Sequence, residues 1–156
     1  MSLVKEKPLY RRKSSKPLAN TTPIEDGPSV LREPEAAYIV ERVRGGLSME
    51  EFHCAQGLLG VNEERLAGLL GMSRATLHRR KKAGLLDRSE SDRLVRFARI
   101  ISRASAALGG LDGARSWLST PARAFHGECP LDYADTEIGA REVEALLGRL
   151  EHGVFS

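Results

Sequence analysis

Apolar residues recur every three or four positions along most of this chain, and no alternation of period two persists, so the pattern predicts helices and not strands. Over residues 35–44, Ala36, Ile39, Val40 and Val43 fall at i, i+3, i+4 and i+7, which predicts a short helix with one buried face, stopped by Gly45-Gly46. Ser48-Met49-Glu50-Glu51 has capping-box spacing and opens a helix to about Leu59, ended by Gly60. Asn62 can cap the next helix, with Leu66, Leu69 and Leu70 facing inward until Gly71 breaks it. Ser73 caps another that runs through Thr76, Leu77 and Arg80 to Gly84. Asp87-Arg88-Ser89-Glu90 repeats the box at the head of the longest helix, which reaches Leu108. Its buried face is expected to hold Leu94, Phe97, Ala98, Ile101, Ser105 and Leu108, with Arg93, Arg96, Arg99 and Arg103 on the surface. After Gly109-Gly110 comes a shorter helix around Asp112 to Leu118, with Trp117 and Leu118 in the core. Pro121 and Pro130 bracket an irregular stretch, and Thr136 starts a last helix with Val143, Leu146, Leu147 and Leu150 inside, ending at Gly153.

The start of the chain reads differently. Five of the seven prolines fall in the first 34 residues, beside Ser14, Ser15, Thr21 and Thr22, so regular structure cannot be sustained there. The expected organisation is an all-α protein in three parts: a disordered basic arm at 1–33, a helical region at 34–86, and a second small helical unit at 87–156.

Charge sharpens this division. Residues 1–20 hold six Lys/Arg against one acid, residues 21–73 four against nine, residues 74–103 ten against three, and residues 104–156 four against eight. The net charge of +3 therefore conceals a basic block inside an ordered helical stretch, followed by an acidic end. Such a layout suggests one surface for a polyanion and another for a different partner. At 156 residues the chain can bury one core, or one core and a satellite. Cys54 and Cys129 are too few and too far apart for a disulfide scaffold, the charged N-terminus lacks the apolar run of a signal peptide, and no stretch offers 18 consecutive apolar residues. A soluble cytoplasmic protein is expected.

The segment from about residue 62 to 82 carries the most specific chemistry. A helix-turn-helix needs a small residue where its helices cross, a turn residue tolerant of left-handed backbone, and an apolar anchor in the second helix. Ala67, Gly71 and Leu77 fill these roles, with Leu66, Leu70 and Met72 completing the core. Ser73 caps the recognition helix so that its first turn can enter a major groove, where Arg74, Ala75, His78 and Arg79 lie nearest the base edges. Thr76, Arg80, Lys81 and Lys82 are placed for phosphates. An ordinary α-hairpin with a basic outer side has the same helix breaks, but not this coincidence of Ala, Gly, Ser and Leu with Arg79-Arg80-Lys81-Lys82 on the exposed face. One such motif covers few base pairs, so operator DNA is expected to be read by a homodimer, with the helix at 35–44 or that at 88–108 as the interface.

His53-Cys54 and His126-x-x-Cys129 lack the spacing of a zinc site, and no nucleophile-base-acid set or phosphate-cradling loop is present in the sequence. The expectation is of no metal, no cofactor and no enzymatic activity.

The runs LAGLLGMSRATLHRRKKAGLL and ESDRLVRFARI, with the end PLDYADTEIGAREVEALLGRLEHGVFS, resemble the Xre-type antitoxins (Xre/MbcA/ParS) of RES–Xre type II toxin–antitoxin modules, over about residues 47–156. The resemblance implies a Cro-like DNA-binding region followed by a C-terminal toxin-binding domain. It further implies a cognate RES-domain toxin, an NAD-depleting enzyme, whose active site is covered by the antitoxin's C-terminal residues, together with dimerisation and repression of the antitoxin's own operon. On the matching positions the expected toxin contacts are Arg149, Glu151, His152, Gly153, Val154, Phe155 and Ser156. Two other readings stay open: a stand-alone helix-turn-helix transcriptional regulator, and a toxin inhibitor whose DNA binding is vestigial.

Overall fold

The computed structural model describes residues 36–153. The basic arm expected at 1–33 lies outside the described residues, as do Val154, Phe155 and Ser156. Among the described residues there is no strand, only a single antiparallel bridge between Ser48 and Leu85, so the all-α expectation holds.

The helices are α1 (Ala36–Gly45), α2 (Met49–Leu59), α3 (Glu63–Leu69), α4 (Arg74–Ala83), α5 (Arg88–Ala107), α6 (Leu111–Leu118), a 3-10 turn (Arg123–Phe125), α7 (Pro130–Tyr133) and α8 (Glu137–Glu151). Their starts follow local chemistry. Ser48 and Asp87 each accept from a backbone N–H three residues on while Glu51 and Glu90 reach back, which forms both expected capping boxes. Asn62, Ser73 and Thr136 accept from the backbones of Arg65, Thr76 and Gly139, each bond stabilising its helix by about 1 kcal/mol. Pro130 occupies the first turn of α7, where its missing N–H leaves no bond unmade, so a short helix begins where the stretch expected to be irregular ends; within that stretch lies the 3-10 turn at Arg123–Phe125.

Helix α5 is the central element. It packs on α8 and α6 along one part of its surface and on α1 and α2 along another, while α3 bridges α2 to α4 and α7 lies against α6 and α8. Leu94, Phe97, Ala98, Ile100, Ile101 and Ala104 of α5 are buried in one apolar cluster that runs from Leu47 to Leu147. Three details depart from the sequence pattern. Helix α1 buries only Val43; Ile39 is half-buried, Ala36 is exposed and Val40 is 45% exposed. Ser105, Leu108, Trp117, Leu146 and Leu150 are half-buried and not interior. Arg96, expected on the surface, is buried: α8 crosses α5 here, and the guanidinium donates to Glu137 Oε2 at 3.1 Å and to the Asp135 carbonyl at 2.9 Å. Paired in this way, a buried cation is tolerated, because its donors find acceptors.

Candidate functional site: the recognition helix and the C-terminal face

The turn between α3 and α4 decides where the basic helix points. Leu70 ends α3, Gly71 takes a left-handed φ of +77°, and Met72 N–H donates to the Ala67 carbonyl at 2.8 Å. Ser73 then accepts from Thr76 N–H at 3.2 Å, and Leu77, buried, anchors α4 to the core. A residue that the sequence pattern placed merely on the surface, and that is half-buried, locks this turn. Arg93 of α5 reaches over Gly71 and donates from Nη1 to the Leu70 carbonyl at 2.8 Å, so a Cβ on Gly71 would stand 2.0 Å from that nitrogen.

With α4 so held, Ser73, Arg74, Ala75, His78, Arg79, Lys81 and Lys82 are exposed, and Thr76 and Arg80 half-buried. The cations divide into three sets. Arg79 and Lys82, with Ala75 at i, i+4 and i+7 spacing, form one stripe, and neither cation pairs with another described residue. Arg74 and Lys81 turn toward α3. Arg74 Nη2 lies 2.5 Å from Glu64 Oε1, and Lys81 Nζ lies 2.9 Å from Glu63 Oε1. The Glu63 carboxyl also meets His53 at 3.2 Å, and the hydrogen bonds from Lys81 and then His53 hold it below the ordinary carboxylate range. Arg80 turns the other way, toward the α5 capping box. Its Nε lies 2.7 Å from Glu90 Oε2 and its Nη2 2.8 Å from Asp87 Oδ2, leaving the side chain 20% exposed. The Glu90 hydrogen bond pushes its pKa further above the ordinary arginine value. The position expected to meet a phosphate is thus occupied in tying α4 to α5.

The second surface belongs to α8 and the helices beneath it. Val143 and Leu147 face inward, while Arg149, Glu151, His152 and Gly153 are exposed. The side chains of Arg149, Glu151 and His152 make no hydrogen bond or ion pair with another described residue, and Gly153 leaves the helix with φ +66°. At the start of α8, Gly139 is required, since a Cβ would lie 1.8 Å from the Tyr133 carbonyl oxygen; this close approach seats α8 on α7. Tyr133 donates to Glu142 at 2.8 Å, and that carboxylate raises the phenol pKa.

Arginines connect the two surfaces. From α6, Arg115 donates to the carbonyls of Leu58 and Gly57 at 2.9 and 2.8 Å, satisfying the C-terminal end of α2, and it passes across Gly60. Arg65 of α3 pairs with Asp132 of α7. His53, Cys54, His126 and Cys129 do not gather: His53 meets Glu63, and the Cys129 thiol donates to the Ser119 carbonyl at 3.2 Å.

Comparison with known families covers both parts of the chain. Residues 39–99 match the antitoxin Xre-like helix-turn-helix domain, and residues 103–153 match the antitoxin Xre/MbcA/ParS C-terminal toxin-binding domain. An antitoxin Xre of Yersinia enterocolitica is 34% identical over 128 residues, covering 81% of this chain and 86% of the relative. An antitoxin Xre of Photorhabdus laumondii is 36% identical over 93 residues, 59% of this chain and 62% of that protein. Another, of Pseudomonas putida, is 39% identical over 64 residues, 41% of this chain and 40% of the relative.

Proposed function

Since this chain belongs to the Xre family of antitoxins, we propose that it neutralises a toxin encoded beside it and represses the operon that encodes both. The carrying observation is the joining, on one helix α5, of a helix-turn-helix with outward-facing Arg79 and Lys82 to a domain matched as toxin-binding. The cognate toxin in this reading is a RES-domain enzyme that depletes NAD. The α8 end carrying Arg149, Glu151, His152 and Gly153, together with Val154, Phe155 and Ser156, enters the toxin's active-site cleft. An acidic C-terminal third suits a cleft that otherwise receives an anionic dinucleotide. The chain itself performs no catalysis and acts in the cytoplasm; no helix among the described residues is long and apolar enough to cross a membrane.

In the DNA reading, α4 enters the major groove, with Arg74, Ala75, His78 and Arg79 toward the bases and Lys81 and Lys82 toward phosphates. Two copies are needed to read a symmetric operator. Of the two helices that could join them, α1 is favoured: Val40 stands exposed on it, whereas the apolar residues of α5 are mostly consumed by the protein's own core. Deleting residues 153–156 tests the division of labour. Neutralisation of the toxin is expected to fall sharply while a mobility shift on the upstream region is kept. Equal loss of both, or loss of neither, contradicts the assignment of the tail.

A further inference from the structure

Two residues in the first turn of α3, Glu63 and Glu64, direct carboxylates at the recognition helix, an unfavourable place for negative charge beside a polyanion. Both are engaged: Glu64 with Arg74 at 2.5 Å, and Glu63 with Lys81 at 2.9 Å. The Arg74–Glu64 pair is not needed to hold the fold, for the Arg74 side chain is 84% and that of Glu64 66% exposed, and exposed pairs of this kind contribute little stability. The geometry does something else. Glu64 engages only Nη2 of a guanidinium that has five donors, which leaves the other donors of Arg74 without a partner among the described residues.

We propose that Glu64 is a specificity-determining positioning residue, which steadies Arg74 for a base edge and disfavours its use on phosphates. The inference rests on the DNA reading above. At a matching site, Arg74 can keep one edge on Glu64 and give the rest to guanine O6 and N7. On arbitrary DNA the nearest anions are phosphates. Wherever Arg74 turns to a phosphate, the Glu64 carboxylate beside it competes for the guanidinium and repels the same backbone. The pair therefore penalises non-specific binding more than specific binding, which is how discrimination is raised without a new contact to the correct sequence. Lys82, which is exposed and has no partner among the described residues, is left to supply unspecific attraction to phosphates.

The test uses the full chain, a duplex from its own upstream region, and a scrambled duplex of equal composition, with Glu64→Gln, Arg74→Ala and the double variant. Glu64→Gln is expected to bind the scrambled duplex about two- to fivefold more tightly, the size of an exposed pair released. It should also steepen that duplex's salt dependence by about one unit of log K per log salt, as Arg74 becomes a phosphate ligand. Affinity for the upstream duplex should rise less, so the ratio between the two falls. In the Arg74→Ala background the change in that ratio should vanish, which mere removal of a surface charge would not produce. An unchanged ratio in Glu64→Gln, or the same fall with and without Arg74, overturns the proposal while leaving the DNA reading standing. Failure of the unsubstituted protein to bind either duplex at low salt overturns both.

Discussion

Gly71 and Gly68 lie three residues apart in the helix-turn-helix and should answer alanine in opposite ways. At Gly71 the backbone is left-handed and a Cβ would displace Arg93 from the Leu70 carbonyl, so Gly71→Ala is expected to cost about 1–2 kcal/mol. Gly68 sits in α3 with open space around its Cβ position, so Gly68→Ala should stabilise by about 0.5–1 kcal/mol. Urea unfolding measures both, and a shared sign would refute this account of the turn. The basic residues of α4 separate as clearly. Arg79→Ala should leave stability within about 0.5 kcal/mol of its starting value and weaken binding to the upstream duplex by about 1–3 kcal/mol, with relaxed specificity. Arg80→Ala should instead destabilise by about 1–3 kcal/mol, because it strips the buried Glu90 carboxylate of its cation. Adjacent arginines of like composition thus differ in role. Nothing in RRKK distinguishes them, since what assigns Arg80 is the direction of its side chain toward the head of another helix.

At the scale of elements, the helix starts were legible because a cap is local chemistry: Ser48 with Glu51 and Asp87 with Glu90 announce themselves three residues apart. The apolar stripes of α5 and α8 were legible for the same reason, although a stripe overstates burial at helix ends, as at Leu108 and Leu150, which are only half covered. Arg96 was misjudged because its partners arrive from the start of α8 and the turn before it, and no local pattern tells a surface arginine from one that a crossing helix will cover. That crossing also predicts a pH response. Burial alone would raise the Glu137 carboxyl, but the hydrogen bond from Arg141 and the fields of Arg96, Arg99 and Arg141 outweigh it and hold its pKa below the ordinary 4.5. A carboxyl lowered by folding adds stability above its unfolded value and loses it as pH falls through the folded one. Glu137→Gln should therefore lower Tm at neutral pH, with the gap from the unsubstituted protein closing below about pH 4.5. A gap that stays constant into acid would show that the ion pairs of Glu137 add nothing to the α5–α8 contact.

Across the whole molecule, the family matches meet within α5, one ending at residue 99 and the other beginning at 103, yet the apolar core runs through that helix without a break. Arg115 on the carbonyls of α2, and Arg65 with Asp132, add polar braces between the same two parts. The sequence carried the charge alternation and the motif that separate a DNA-facing part from an acidic one, but not this continuity, which depends on partners dozens of residues apart. One chain thus offers a basic face on α4 and, beyond α5, the exposed end of α8. The measurement that bears most directly on this account is co-expression of the chain with the reading frame beside its own gene. The neighbouring product is expected to arrest growth when made alone, with the arrest relieved and the two proteins co-purifying when this chain is present. Persistent arrest, with this chain folded and soluble but eluting by itself, would contradict the antitoxin function.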